Sequence, residues 1–188
     1  MKKESIKFVF FGTGDFAVKI LDILYQNNFA PSLIVTATDK PKGRKMILTP
    51  SPVKIWAEKK NIKTITDYSL LSTLYSLFIV ADYGKIIPKK ILNIPKYGFL
   101  NVHPSLLPKF RGPSPIQSFI LSGAPTQGRG KKEETGTTII LLDEEMDHGP
   151  IVAQQNLDTK CPLGHLVSKW TYKELEEKLA ELGGRTFA

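Results

Sequence analysis

Short, almost wholly apolar runs that alternate with segments of helical spacing constrain the fold of this chain more than any other feature. The first run, Ile6–Phe11, ends at Gly12, and Asp15–Asn27 then repeats its apolar residues at helical spacing. Strands that are apolar along their whole length are buried on both faces. The sequence therefore predicts an α/β protein with a Rossmann-like, open, mostly parallel sheet and helices on both faces. The later runs are Ser32–Ala37, Leu77–Ala81, Phe99–Val102, Thr137–Leu142 and Ile151–Gln154.

The segments between these runs predict the remaining elements. Ser51-Pro52 is typical of a helix start, because proline fits the first helical position. Thr171 and Glu174 form a capping box, and Gly183-Gly184 predicts the end of the last helix. Thr38–Pro52 contains three prolines and one glycine and predicts an irregular loop. The pattern also predicts a short strand, Lys63–Ile65, and helices at Val53–Lys60, Ser114–Leu121 and Thr171–Leu182.

Size and composition exclude several classes of protein. With 188 residues and 41% hydrophobic residues, we expect residues 1–188 to form a single domain. The single cysteine, Cys161, excludes an intramolecular disulfide framework. No apolar run reaches the ~18–20 residues of a membrane span, and none follows the N-terminal lysines at signal-peptide length. We therefore expect a cytoplasmic protein without a membrane partner. We also expect a monomer, and, since no cluster has metal-ligand spacing, a protein without a metal.

The positive charge is concentrated in two segments. The chain carries a net charge of +8, but Asp39–Lys63 alone holds eight Lys and Arg against two acids. Lys85–Arg111 holds six Lys and Arg and no acid. Two basic segments on one domain favour a polyanionic partner, nucleic acid first, although a merely solvated basic face would look the same.

The turn after the first run fits the dinucleotide-binding fingerprint only in part. Gly12 to Ala17 reads G-x-G-x-x-A between a predicted strand and helix, as that motif requires. The acid expected about 20 residues later, at the end of the second strand, is missing, and Asp15 places a negative charge where a pyrophosphate would bind. Nicotinamide binding stays an alternative. The other interpretation of this motif is a tight strand-to-helix turn beside another ligand.

The chemistry-bearing segment begins with Asn101 and His103. Alternation places both on one side of a strand, at the carboxyl end where open α/β sheets bind ligands. An amide beside an imidazole suits acyl transfer, because the imidazole can accept a proton from an attacking amine and the amide can stabilise an oxyanion. An acid from the turn Asp143–Pro150 could orient the imidazole, and spacing alone does not say which one.

Several segments in order, from about Ile6 to Gln154, carry a resemblance to a known family. They are FFGTGDFA, TDKPKGRK, LTPSPVKIWAEKKNI, DYGKIIPKKIL, FLNVHPSLLPKFRGPSPIQ and TGTTIILLDEEMDHGPIV. In these segments the chain resembles the 10-formyltetrahydrofolate-dependent formyltransferases. The segment N-x-H-x-S-L-L-P-x-x-R-G is highly specific to these transferases, and PSPVK favours their methionyl-tRNA branch. The resemblance implies the formyltransferase fold.

The resemblance also implies roles for particular residues. Asn101, His103 and Asp147 would be catalytic, Asp147 rather than Asp143 because the family's aspartate directly precedes the x-Gly-x end of this turn. The folate cosubstrate 10-formyltetrahydrofolate would be bound by Ile86, Ile87, Ser105, Leu106, Leu107, Pro108 and Asp143. The charged initiator tRNA would be bound by Lys42, Arg44, Lys45 and Arg111.

The implied function is transfer of the formyl group to the amino group of methionyl-tRNA, a step of translation initiation. The alternatives are the same chemistry on a small amine such as glycinamide ribonucleotide or an amino sugar, a nicotinamide-binding protein, and a non-catalytic tRNA-binding remnant. Three features depart from the pattern. The sequence ends four residues after Gly184, so we expect the family's C-terminal β-barrel domain to be absent. The Gly149-Pro150 ending resembles purine transformylases as well, and Pro125–Lys132 looks long and basic, which favours a disordered loop.

Overall fold

The computed structural model describes residues 6–122, 134–157 and 170–187, which contain one large and one small β-sheet and five helices. The strands are β1 (Phe8–Gly12), β2 (Leu33–Val35), β3 (Lys40–Lys42), β4 (Ile47–Thr49), β5 (Thr64–Ile65), β6 (Leu77–Ala81), β7 (Phe99–His103), β8 (Gly136–Leu141) and β9 (Ile151–Asn156). The helices are α1 (Asp15–Gln26), α2 (Pro52–Lys59), α3 (Lys89–Leu92), α4 (Pro115–Leu121) and α5 (Tyr172–Phe187).

The large sheet has seven strands in the order β5-β2-β1-β6-β7-β8-β9. The first five run parallel, and β8 and β9 are antiparallel to their neighbours. Every residue of β1 and of β6 is buried, which explains why these strands are continuous apolar runs in the sequence. The predicted α/β fold with a mostly parallel sheet is confirmed.

The two faces of the sheet are covered differently. Phe8 and Phe10 point to the face on which α1, α2, α4 and α5 pack. Val9 and Phe11 point to the other face, which is covered by α3 and by side chains of the segments around it. Helices therefore lie on both faces, but the longer ones share one face. Loops cover most of the other.

The irregular loop predicted for Thr38–Pro52 is wrong, because β3 and β4 pair there as an antiparallel hairpin. The turn between them places Gly43 and Met46 at positive φ, and Met46 N donates to Gly43 O over 3.1 Å. Both strands are three residues long and mostly exposed, and β3 contains Pro41. Such strands carry no burial pattern, so nothing in the periodicity predicted them.

Two polar contacts hold the base of this hairpin. The hydroxyls of Thr36 and Ser51 lie 2.7 Å apart in a buried hydrogen bond. Lys54 donates to both carboxylate oxygens of Asp39, over 2.8 and 2.9 Å. Ser51 Oγ also accepts from Lys54 N, which confirms the predicted start of α2. The hairpin is thus tied at its base to the large sheet and to α2.

The predicted stop at Gly183-Gly184 is also wrong, since α5 continues through both glycines to Phe187. Both residues are buried at places where the helix touches its neighbours. A Cβ at Gly183 would lie 2.6 Å from a methyl group of Val102, and one at Gly184 would lie 2.8 Å from Ile23. These glycines allow close helix packing. The capping box is confirmed, with Thr171 N donating to Glu174 over 2.8 Å.

Some expectations concern residues outside the described part of the chain, namely Cys161 and the whole loop Pro125–Lys132. Helix α3 was not predicted, and it has only four residues, none of them buried. Among the helices that the structure describes, none combines the length and apolar character that crossing a membrane requires.

Candidate active site

Strand β7 carries Asn101 and His103 toward the loop-covered face, where both meet Asp147 from the turn after β8. The side-chain amide of Asn101 donates to Asp147 Oδ1 over 3.2 Å. Nδ1 of His103 lies 3.5 Å from the same oxygen. The structure therefore brings together the three residues for which a catalytic role was predicted. The side chains of His103 and Asp147 are only 6% and 10% exposed, so solvent screens their interaction little.

The backbone fixes the Asp147 carboxylate in this place. Asp147 has a φ of 52°, a conformation that side-chain-bearing residues rarely adopt and that functional sites often contain. Its second oxygen, Oδ2, accepts from Gly112 N over 2.9 Å. The carboxylate is thus held by a backbone amide on one oxygen and faces Asn101 and His103 with the other.

The imidazole of His103 lies between two oxygen acceptors. Nε2 is 3.0 Å from the carbonyl oxygen of Phe110, and Nδ1 faces Asp147. A carbonyl only accepts, so Nε2 is the protonated nitrogen when this hydrogen bond forms. An imidazole that gains a second proton at Nδ1 can donate to Asp147 as well. Sequence reasoning missed Phe110 and Gly112, because backbone groups leave no residue-type signal.

A cavity of about 560 Å³ opens beside these residues. One part of its wall is apolar and is formed by Val80, Ile86, Ile87, Leu92 and Leu142, and the turn Asp143–Asp147 forms another part. Cavities of this size hold small organic ligands. Ile86, Ile87 and Asp143, all predicted to bind the folate, line it.

The Ser105–Pro108 segment occupies a different place. Ser105, Leu106, Leu107 and Pro108 are not among the residues that line the cavity. Ser105 and Leu107 are buried against the sheet, and Pro108 is exposed. The structure therefore brings the predicted folate residues Ile86, Ile87 and Asp143 together, and it sets this segment behind His103.

The residues predicted to bind tRNA lie on the surface. Lys42 ends β3, and Arg44 and Lys45 form the tip of the hairpin, all of them exposed. Arg111 is exposed next to Gly112, which lines the cavity. The hairpin tip also exposes Met46, Ile47 and Leu48, each more than 60%. The basic, partly apolar hairpin tip and Arg111 beside the cavity are therefore two separate basic features of the surface.

An acidic end of the cavity was not predicted. Asp82 follows β6 directly, and Glu176 and Tyr172 of α5 lie at the same end. Partial burial and the nearby charge of Glu176 raise the pKa of Asp82 to about 6, against the hydrogen bond from the Gly14 amide, which lowers it. Burial also raises the pKa of Tyr172 to about 12. The sequence signal that could have predicted this acidic end is an acid placed directly after a buried strand.

The glycine turn before α1 holds this carboxylate. Gly14 N–H donates to Asp82, and a Cβ at Gly14 would collide with the carboxylate of Asp82. A Cβ at Gly12 would lie 2.7 Å from Ala17 Cβ and from the Phe10 ring. The helix N-terminus, where a pyrophosphate binds in dinucleotide-binding folds, here faces a side-chain carboxylate. The partial fingerprint is therefore explained by packing.

Comparison with protein families matches residues 6–187 to the formyl transferase model. The chain belongs to the formyl transferase family. It is 42% identical, over 95% of its length, to the methionyl-tRNA formyltransferase of Wolbachia pipientis subsp. Culex pipiens (strain wPip). It is 40% identical over 94% of its length to that of Caldicellulosiruptor saccharolyticus. It covers 58% and 56% of these two proteins, so it spans little more than half the length of these curated relatives.

Solved structures of other formyltransferases share the fold. The phosphoribosylglycinamide formyltransferase of Bacillus halodurans superposes with a TM-score of 0.68 at 20% identity, over 96% of this chain and 91% of that one. An N-formyltransferase of Helicobacter canadensis, in complex with folinic acid and dTDP-3-aminofucose, gives a TM-score of 0.65 at 20% identity, over 97% and 61%. At these identities the likeness shows the fold alone.

No group of three or more His, Cys, Asp and Glu side chains that could hold a metal ion occurs among residues 6–122, 134–157 and 170–187. The expectation of a metal-free site stays a prediction.

Proposed function

We propose that this chain transfers the formyl group of 10-formyltetrahydrofolate to the α-amino group of a charged initiator tRNA, methionyl-tRNA. The observation that carries the proposal is the contact of Asn101 with the buried pair His103 and Asp147 at the wall of a ligand-sized cavity. The formyl transferase family and the 42% and 40% identical methionyl-tRNA formyltransferases support it. In this proposal residues 1–188 form a single catalytic domain.

The geometry suits attack of an amine on the formyl carbon. The side-chain amide of Asn101 has two N–H groups, and only one donates to Asp147, so the second is left for the oxyanion of the tetrahedral intermediate. His103 accepts the proton that the amine loses as the new C–N bond forms. Asp147 and the Phe110 carbonyl then stabilise the doubly protonated imidazole. Return of that proton to N10 of the folate completes cleavage of the old C–N bond.

The cavity fits the proposed formyl donor. Its apolar wall can cover a planar pterin ring, and the polar backbone and side chains of the turn Asp143–Asp147 can hydrogen-bond to the ring edge. Its volume of about 560 Å³ is sufficient for such a ring and the group to be transferred. The folinic acid bound in the Helicobacter canadensis relative supports a folate ligand in this fold.

The charges favour tRNA over a small phosphorylated acceptor. The basic hairpin tip and Arg111 offer positive charge to a phosphate backbone. At the other end of the cavity, Asp82 accepts the amide N–H of Gly14, and Glu176 adds a second negative charge. A phosphate placed at this helix N-terminus would meet carboxylates instead of free amides. This arrangement opposes a nicotinamide dinucleotide there for the same reason.

The test is formyl transfer by the purified chain with methionyl-tRNA, free methionine and glycinamide ribonucleotide as separate acceptors. We expect transfer to the tRNA alone, and a loss of about 10²–10⁴-fold in kcat for His103→Ala. His148→Ala is the matched control, because this exposed imidazole lies near the site and its ion-pair partners, Asp143 and Glu145, are acids of its own turn. Transfer to the ribonucleotide alone would replace the proposal with the small-amine alternative. Equal activity of His103→Ala and His148→Ala would refute the role of His103.

A further inference from the structure

One buried hydroxyl organises the segment that reaches both His103 and Asp147. Thr138 on β8 is fully buried and pairs with His103 across the sheet. Its Oγ1 donates to Ser105 O over 2.6 Å and accepts from Leu107 N over 3.1 Å. It also accepts from the side-chain amide of Gln154 over 2.8 Å. A threonine hydroxyl has one proton and two lone pairs, so its hydrogen-bonding capacity is fully used.

Gln154 adds a second attachment between the segment after His103 and the sheet. Its Nε2 donates to Thr138 Oγ1 and also to Leu107 O over 3.0 Å. The backbone N–H and C=O of Leu107 are therefore both bound, one by each side chain. Since Gln154 is on β9, side chains of two neighbouring strands bind the backbone of the same residue on both sides of its Cα. The segment Pro104–Leu107 is thus attached to the antiparallel edge of the sheet.

The rest of the segment contacts the candidate catalytic groups. Ser105 Oγ donates to Lys109 O over 2.7 Å, which closes the turn that follows Leu107. The next residue, Phe110, has a φ of 56° and directs its carbonyl to Nε2 of His103 over 3.0 Å. Two residues later, Gly112 N donates to Asp147. If the anchored turn shifts, the Phe110 carbonyl that binds the imidazole and the Gly112 amide that binds the Asp147 carboxylate therefore move together.

We propose that Thr138, assisted by Gln154, is a positioning residue that sets the orientation of the His103 imidazole through the turn Pro104–Gly112. Thr138 is the strand partner of His103, but its hydroxyl hydrogen-bonds to Ser105, Leu107 and Gln154 and to none of the three candidate catalytic side chains. Neither Thr138 nor Gln154 lines the cavity. The inference deepens the proposed function, on which its kinetic part rests. Its structural part, the state of the His103 ring, does not depend on any activity.

The competing explanation is that Thr138 only stabilises the sheet edge. A buried hydroxyl with three hydrogen bonds contributes to stability in any case, because Thr138→Val leaves Ser105 O, Leu107 N and one Gln154 proton without this partner. A stability loss alone would not separate the two explanations. The experiment therefore reads the imidazole directly and compares variants that keep the fold.

The experiment measures the ¹⁵N chemical shifts of the His103 ring at fixed pH in the full chain. The variants are Thr138→Val, Thr138→Ser and Gln154→Met, and Gln155→Met is the matched control on the same strand. We expect Thr138→Val to shift the Nε2 signal toward that of an imidazole without a carbonyl partner, and Thr138→Ser to restore it. Gln154→Met keeps two of the three bonds to Thr138 and should produce a smaller shift, so it serves if Thr138→Val fails to fold.

The kinetic readout completes the test. A displaced imidazole should lower kcat by about 10–100-fold in Thr138→Val while the KM for the formyl donor changes little, because near-attack geometry is lost and binding is not. Unchanged His103 signals in a folded Thr138→Val or Gln154→Met would overturn the inference, as would failure of Thr138→Ser to restore the signals. If the wild-type chain shows no formyl transfer, the proposed function fails, and the ring signals still decide this inference.

Discussion

Replacing Gly183 by alanine tests how closely α5 must approach the strand that carries Asn101 and His103. The added methyl group would lie 2.6 Å from Cγ1 of Val102 and 3.0 Å from Cγ2 of Thr137. Alanine gains about 1 kcal/mol over glycine inside a helix. Overpacking a buried contact costs about 1–3 kcal/mol, and the upper part of that range applies because both neighbours are β-branched and buried. We expect a net destabilisation of about 1–2 kcal/mol.

Urea denaturation measures this loss. With a slope of roughly 2 kcal/mol per molar urea, the midpoint of Gly183→Ala should fall by about 0.5–1 M. Gly84→Ala is the control, since a Cβ there meets nothing within 4 Å and should leave stability equal or slightly higher. A midpoint that rises in Gly183→Ala would show that helix propensity outweighs the contact, and would refute the argument that this glycine allows close packing.

Two further predictions concern charge. Arg44→Ala should raise the KM for charged tRNA and leave the KM for the formyl donor unchanged. It should also lower the salt dependence of tRNA binding by about one unit of log–log slope. Lys19→Ala, on the exposed face of α1, should change neither the KM for tRNA nor the salt dependence. Because the pKa of Asp82 is raised from 3.8 to about 6, the folded protein binds more protons than the unfolded chain in this interval, and stability falls as pH rises through it. Asp82→Asn should therefore raise the free energy of unfolding by about 1 kcal/mol at pH 8 and by nothing near pH 3.5. The full pKa shift corresponds to ~3 kcal/mol. The expected gain is smaller, because more than a third of Asp82 is exposed and solvent screens its charge. Equal gains in urea denaturation at both pH values would contradict the reasoning.

The sequence predicted the elements whose burial is uniform. β6 begins and ends as the apolar run Leu77–Ala81 indicated, and the starts of α2 and α5 follow from their caps. The pattern could not predict β3 and β4, because their side chains are mostly exposed and their pairing depends on a turn and on contacts at the hairpin base. The glycines of α5 were misread because local propensity does not report a neighbouring helix or strand.

The same distinction applies to the site. Alternation along the chain correctly placed Asn101 and His103 on one side of a strand. Their partner could be chosen only by resemblance, because both Asp143 and Asp147 lie in one turn and both line the cavity. The structure places Asp147 against them through its positive φ and the amide of Gly112, while Asp143 contacts His148 instead. Backbone conformations of this kind have no composition signal when the residue is not glycine.

The uneven covering of the sheet explains why the cavity lies where it does. Along β7, Leu100 and Val102 face the longer helices, whereas Phe99 packs into the loop-covered face. Asn101 and His103 share the side of Phe99, so they meet the turns around Asp82 and Asp147 instead of a helix. A packed helix on that face would bury a continuous apolar surface and leave no space for a ligand. Short turns instead supply backbone amides and carbonyls at fixed positions. In the part of the chain that the structure describes, the polar residues of β7 and the short turns beside them therefore form one arrangement.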